Sequence, residues 1–115
     1  MSTVVSSDLA VPQGDCAPFV SRDGDRTVIW LGGEYDIATA GVLTDSLAEA
    51  ISLDDGDLIV EMSAVTFIGI ITIDALILAR DALLRQSRRL TVRSPSKCVR
   101  RLLTVCGHAD LVEPA

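Results

Sequence analysis

The sequence predicts an α/β fold in which three to four helices pack on a mixed sheet of four to five strands. Two β-prone runs separated by an Asp-Gly step open the chain, and strand-to-helix transitions follow at residues 57–85 and 89–106. The 115 residues are 49% hydrophobic and 3% aromatic, which predicts one domain with an aliphatic core. We expect residues 1–14 to form a loose leader and residues 15–115 to form a single domain.

A helix is expected after the opening hairpin, because apolar side chains recur on one stripe through residues 43–51. Asp36 or Thr39 is expected to cap this helix by accepting a hydrogen bond from a backbone N–H at its start. The acidic, glycine-containing segment at residues 54–56 is expected to end it.

The centre of the predicted fold is the segment of residues 57–85. Residues 58–60 are three consecutive aliphatics, typical of a parallel strand buried on both faces. Gly69 then interrupts the apolar run and helical spacing follows, with Asp74 expected in the first turn of the helix. Because a helix N-terminus at a sheet edge presents backbone N–H groups to anions and partners, we expect the function to lie near Gly69.

A further strand and helix follow. Residues 89–93 alternate as a strand with charged ends, Ser94 and Pro95 are expected to be the N-cap and first residue of a helix, and Gly107 is expected to close it. The predicted order is therefore β-β-α-β-α-β-α, with one hairpin followed by crossover connections.

Charge is divided unevenly along the chain. Residues 1–81 carry 14 acidic side chains against 3 arginines, and residues 82–115 carry 7 basic side chains against 2 acidic ones, so the net charge of −6 separates into −11 and +5. The basic segment is interpreted either as the solvated ends of a strand and a helix or as a site for a nucleotide or another anion. The acidic remainder and the absence of a recognition motif disfavour direct nucleic-acid binding.

The sequence offers little for catalysis. It has no GxSxG, Walker, HExxH or GxGxxG motif, and its single histidine, His108, follows a helix-closing glycine with no nucleophile motif beside it. Cys16, Cys98 and Cys106 show no CxxC spacing, which predicts reduced thiols with neither a disulfide nor a zinc site. We therefore expect a non-enzymatic protein without a cofactor or metal.

The chain shows no secretory signal or membrane helix. The longest apolar window, residues 65–79, is shorter than the roughly 20 residues that a membrane helix needs, and it contains Asp74. We expect a cytoplasmic protein with no membrane partner, present as a monomer or weak homodimer.

Three blocks of the sequence resemble one protein family. GGEYDIATAGVLTDSLAEAI is similar to the GELD-x-x-TA opening of STAS domains, the fold of bacterial anti-sigma factor antagonists. LIVEMSAVTFIGIITIDALILAR resembles the central strand, loop and helix of that family, and SPSKCVRRLLTVCGHADLV resembles its closing helix and tail. The three blocks occur in the family's order and together cover nearly the whole chain.

The resemblance implies a regulator that acts by protein contact. In this family the unphosphorylated antagonist binds an anti-sigma factor, often a serine kinase, and frees the sigma factor. Phosphorylation of a serine before the central helix ends that binding, because a phosphate adds about −1.5 to −2 charges to a close interface. The resemblance places the partner-binding surface at Glu34, Asp36, Thr39, Gly69, Ile70, Ile71 and Thr72.

The chain departs from the family at the switch loop itself. That loop commonly ends in Asp-Ser-Ser-Gly-Leu, whereas this chain has Gly69, Ile70, Ile71, Thr72 and Ile73. Aliphatic side chains cannot accept a phosphoryl group, so we expect the usual serine switch to be absent. Thr72 is an alternative phosphoacceptor, although a threonine in the first turn of a helix more often bonds locally or packs. Ile70 and Ile71 either extend the core or form an exposed patch that would make binding constitutive.

Two functions of different classes follow for a STAS-like domain. The first is an anti-sigma factor antagonist-like regulator of transcription in stress response, which binds a serine-kinase-type anti-sigma factor and frees a sigma factor. The second is a ligand-sensing module that binds a nucleotide or other anion through Arg93, Lys97, Arg100 and Arg101. A third interpretation is a subunit that serves mainly in a larger assembly.

Overall fold

The computed structural model describes residues 18–113, and their elements follow the predicted order. The predicted leader, residues 1–14, lies outside the described residues. The bounds are β1 (Phe19–Asp23), β2 (Arg26–Tyr35), α1 (Ala40–Leu53), β3 (Leu58–Ile68), α2 (Ile70–Leu84), β4 (Leu90–Arg93), α3 (Lys97–Val105) and a 3₁₀ turn (Ala109–Leu111).

The strands form one mixed sheet in the order β1-β2-β3-β4. β1 and β2 pair antiparallel around a turn at Gly24. Gly24 has a φ of +67°, a conformation that glycine adopts without steric cost. β3 pairs parallel with both β2 and β4, so both of its edges are occupied. The predicted hairpin, mixed sheet and central aliphatic strand are confirmed.

The core lies where the helices pack on this sheet. α1 and α2 pack against each other, and α3 packs against β3. Almost every core side chain is aliphatic, as the composition predicts, and Tyr35 is the one aromatic ring within the core cluster of the described chain. Each helix contributes a buried stripe: Leu43, Leu47 and Ala50 from α1; Ile73, Leu76, Ala79 and Leu83 from α2; Val99 and Leu103 from α3.

Two predictions at helix starts, the place of Asp74 in α2 and the N-cap of α3, are wrong. α2 begins at Ile70, directly after Gly69, so Asp74 lies in its second turn and not in its first. α3 begins two residues later than predicted, because Ser96 is its N-cap, with its Oγ accepting from the Val99 N–H at 3.4 Å. Ser94 instead has a φ of +56°, which places it in the connection after β4.

The end of α3 agrees with prediction. Gly107 has a φ of +82°, a left-handed conformation that favours glycine after a helix. The His108 N–H then donates to the Leu103 carbonyl at 2.7 Å, so the backbone of the single histidine closes the last turn of the helix.

Candidate functional site

The two segments predicted to form the site meet at one end of the sheet. Tyr35, at the end of β2, pairs in register with Ile68, at the end of β3. The Gly69 N–H donates to the Tyr35 carbonyl at 2.8 Å. A methyl group at Gly69 would lie 3.9 Å from the Cα of Asp36, so the start of α2 and the Asp36 turn are direct neighbours.

The turn after β2 is closed by its own side chains. Asp36 Oδ1 accepts from the backbone N–H groups of Ala38 (3.0 Å) and Thr39 (3.2 Å), and Thr39 Oγ accepts from the Asp36 N–H at 2.9 Å. Thr39 stands at the N-cap position of α1, yet no side chain caps that helix. The prediction that Asp36 or Thr39 caps α1 through its side chain is therefore wrong, since these bonds fix the turn before the helix. Asp36 and Glu34 are both exposed beside it.

Ile70 and Ile71 do not extend the core. Their side chains are 61% and 48% exposed in the first turn of α2, which corrects the interpretation that they are buried. Two further exposed apolar side chains, Ile37 and Phe67, lie within two residues of Asp36 or Gly69. We call these four residues the apolar patch: Ile37, Phe67, Ile70 and Ile71.

Thr72 behaves differently from its neighbours. It is fully buried, and its Oγ donates to the Tyr35 carbonyl at 3.3 Å, so it ties the first turn of α2 to the end of β2. A kinase could reach this hydroxyl only if that turn opened. Its placement argues against Thr72 as an alternative phosphoacceptor, and Thr72 positions the surface from behind without forming part of it.

The four cations proposed as an anion site do not share one environment. Lys97, Arg100 and Arg101 are exposed on α3. Arg93, on β4, is instead held by carboxylates, with its Nε donating to Glu61 at 3.1 Å and its Nη1 lying 3.5 Å from Asp23. An anion would have to displace these carboxylates from Arg93, so Arg93 is poorly placed to join the other three cations in such a site.

The pKa of Glu61 reflects its ion pair with Arg93. Burial raises the pKa of the Glu61 carboxyl, but hydrogen bonds from Ser63 and Arg93, with the positive charge of Arg93, outweigh it and hold the pKa below its ordinary value. The guanidinium also lies 5.7 Å from the centre of the Trp30 ring, which in turn stacks on Phe19. These contacts form a row of side chains, with one member on each of the four strands, that stabilises the sheet: Phe19, Trp30, Glu61 and Arg93.

Sequence reasoning missed Arg88, which is a structural residue. It was counted with the basic segment, yet only 7% of it is exposed. Its guanidinium donates to the carbonyls of Ile51 (3.1 Å), Asp54 (2.8 Å) and Gly56 (2.8 Å). Nothing in the local pattern distinguishes it from Arg89, its exposed neighbour.

Other predicted features concern cysteines, metals and membranes. Cys98 and Cys106 are free thiols, and Cys16 lies outside the described residues. Between residues 18 and 113, no group of three or more His, Cys, Asp or Glu side chains is placed to hold a metal ion. Over the same range, every helix is too short or too polar to cross a bilayer.

Comparison with known proteins identifies the fold. A family model described as "Mlab, STAS domain" matches residues 19–113. The unphosphorylated anti-sigma factor antagonist SpoIIAA is similar with a TM-score of 0.74 at 19% identity, over 86% of this chain and 88% of that one. An anti-sigma factor antagonist from Mycobacterium paratuberculosis has a TM-score of 0.74 at 22% identity, over 90% of this chain and 87% of that one.

The same fold also occurs in a protein of another kind. The murine anion transporter Slc26a9 is similar with a TM-score of 0.68 at 14% identity, over 83% of this chain but only 17% of the transporter. A search of curated proteins found no match. At these identities the likeness to solved structures is one of fold, and a fold alone does not fix the function.

Proposed function

The chain belongs to the STAS-domain family, and from that premise we propose that it is a non-enzymatic, anti-sigma factor antagonist-like regulator. Its partner is an anti-sigma factor of the serine-kinase type, and binding frees a sigma factor in the cytoplasm. The exposure of Ile70 and Ile71, where the family carries serines, is the observation that carries the proposal.

The proposed contact surface combines the exposed carboxylate of Asp36 with the apolar patch. The closed turn at residues 36–39 and the hydrogen bond from Gly69 to Tyr35 hold both parts in place without a partner, so little order has to be gained on binding. Burying an exposed isoleucine contributes roughly 1–2 kcal/mol, less than the 1.5–3 kcal/mol of a fully exposed side chain. Without an acceptor serine, this binding is constitutive.

Calorimetry with a kinase-type anti-sigma factor from the same cell tests the proposal. We expect stoichiometric binding that Ile70→Asp weakens at least tenfold, because a carboxylate would be desolvated at the interface. An aspartate in the first turn of α2 suits the helix dipole, so this variant retains its fold.

The matched control is Leu53→Asp, which changes a leucine of similar exposure (58%) at the far end of α1. It should bind like the unmodified chain. If no candidate anti-sigma factor binds, the proposed function is wrong; if both variants lose affinity equally, the surface lies elsewhere.

The absence of a phosphorylation switch has its own test. Incubation with the kinase and ATP should leave the mass of the intact chain unchanged, whereas a variant carrying Ile70→Ser and Ile71→Ser regains the family's hydroxyls and should be phosphorylated. A phosphate mapped to Thr72 in the unmodified chain would contradict the buried position of that hydroxyl.

The second function, a ligand-sensing module, now depends on Lys97, Arg100 and Arg101. All three are exposed on the short helix α3, which is the observation that favours it. Calorimetric titration with nucleotides tests this function, and the absence of saturable binding would rule out nucleotide sensing.

A further inference from the structure

We infer that a groove between α1 and α2 is a second docking site, and that it binds a basic amphipathic helix of the partner protein. The groove has a volume of about 370 Å³. Its apolar lining comes from both helices: Leu47, Ala48 and Ile51 of α1, and Ile71, Ala75 and Leu78 of α2. We call it the α1–α2 groove.

The shape of the groove suits a helix. Its lining residues on α1, from Thr44 to Ile51, recur at the i, i+3, i+4 and i+7 spacing of a single helical face. On α2 the same spacing is filled by Ile71, Asp74, Ala75 and Leu78. Leu78 is 70% exposed, so the wall of the groove presents a large apolar side chain to solvent. Two apolar walls of this kind suit the apolar face of a third helix.

The charge around the groove selects a basic partner. Residues 27–79 contain nine acidic side chains and no lysine or arginine. Asp74 lines the groove, and the two charged side chains of α1, Asp45 and Glu49, are acidic and exposed. The first cation after this span, Arg80, lies 3.3 Å from the carboxylate of Asp81. An apolar groove that is lined by one carboxylate, on helices with no cation before Arg80, is complementary to a helix with leucine-like residues on one side and lysine or arginine at its margins.

The groove is also continuous with the proposed anti-sigma factor surface. Ile71 belongs both to the apolar patch and to the groove lining, so a partner that covers the start of α2 reaches the groove without a gap. The inference rests on the proposed function only in that the anti-sigma factor supplies the helix.

A synthetic peptide tests the groove without the partner. The probe is a fluorescein-labelled amphipathic helix of leucine and lysine, and its control has the same pattern with glutamate in place of lysine. We expect saturable binding of the lysine peptide to the full chain by fluorescence anisotropy and none of the glutamate peptide. Equal binding of both peptides, or of neither, overturns the inference.

Variants locate the binding. Leu78→Gln should weaken peptide binding about tenfold, whereas Leu84→Gln, which changes a 54%-exposed leucine of the same helix outside the groove, should not. Asp74→Asn should weaken binding and reduce its salt dependence. If Leu78→Gln and Leu84→Gln behave alike, the peptide binds elsewhere and the inference is wrong.

The anti-sigma factor separates failure of the groove from failure of the proposed function. If the factor binds and Leu78→Gln leaves its affinity unchanged, only the groove inference fails. If the factor does not bind, the proposed function fails, and the peptide result still decides the groove. Sedimentation of the free chain tests whether a second copy of the chain occupies the groove instead. A dimer that Leu78→Gln abolishes would overturn the assignment to a partner helix.

Discussion

Replacing Arg88 by methionine is expected to lower the free energy of unfolding by about 2–4 kcal/mol. Arg88 is the most buried cation of the described residues, with 8% of its side chain exposed. Methionine keeps much of the apolar stem, so the change removes the charge and the hydrogen bonds while disturbing the packing little.

The magnitude follows from the three carbonyls that Arg88 satisfies, those of Ile51, Asp54 and Gly56. An acceptor left unpaired costs about 1–3 kcal/mol when it is fully buried. These residues are half-buried, so water can reach part of the space that the guanidinium leaves. We therefore expect a cost of about 1 kcal/mol in the free energy of unfolding for each carbonyl. The bonds also join the end of α1 to the turn before β4, so their loss loosens one wall of the α1–α2 groove.

Urea denaturation followed by circular dichroism measures the effect. With a slope of about 1–3 kcal/mol/M, a loss of this size lowers the midpoint by roughly 1 M or more. Arg89→Met is the matched control, because Arg89 is adjacent in sequence and exposed. The reasoning is refuted if Arg88→Met lies within about 0.5 kcal/mol of Arg89→Met, the range typical of surface changes.

Two further predictions concern the pH dependence of stability and the substitution of two glycines. Because the pKa of Glu61 is depressed below 4.5 in the folded chain, its ionised form contributes stability that is present above pH 4.5 and is lost as the pH falls through the folded-state pKa. The urea midpoints of the unmodified chain and Glu61→Gln should therefore converge below that pH, and a constant difference would contradict this. Gly56→Ala should destabilise the fold by about 1–3 kcal/mol, since the added Cβ would lie 2.4 Å from the Asp25 carbonyl oxygen. Gly41→Ala in the first turn of α1, where nothing lies within 4 Å, should be neutral or stabilising by up to about 1 kcal/mol, and equal effects of the two changes would refute the steric argument.

Local sequence signals located most elements but not their ends. Ser94 and Ser96 both stand before the last helix and both are good N-caps, so the pattern could not choose between them. The chain leaves β4 with Ser94 at positive φ, and only Ser96 then reaches the first turn of α3. Asp74 was placed one turn too early, because Gly69 could have been followed by a loop as readily as by a helix.

The candidate site was only partly predictable. The family resemblance identified the positions of the candidate site, since Ile70 and Ile71 stand where the family has serines. Whether they are exposed could not be decided from hydrophobicity, because α2 carries aliphatic side chains on nearly all sides. The helix is oriented by Thr72 and Ile73, which face inward, and this turns Ile70 and Ile71 outward.

Local periodicity and turn residues, which act over short distances along the chain, were enough to predict the order of strands and helices and the mixed sheet. The family came from the resemblance of three sequence blocks. The packing of the sheet and helices decides which aliphatic residues of α2 are exposed, which arginines are held in ion pairs or hydrogen bonds, and where a groove lies between α1 and α2. Those outcomes depend on partners about 30 residues away in sequence, as in the pairs of Arg93 with Glu61 and Arg88 with Gly56. The surface around Gly69 is therefore a property of the packed sheet and helices and not of the switch-loop sequence alone.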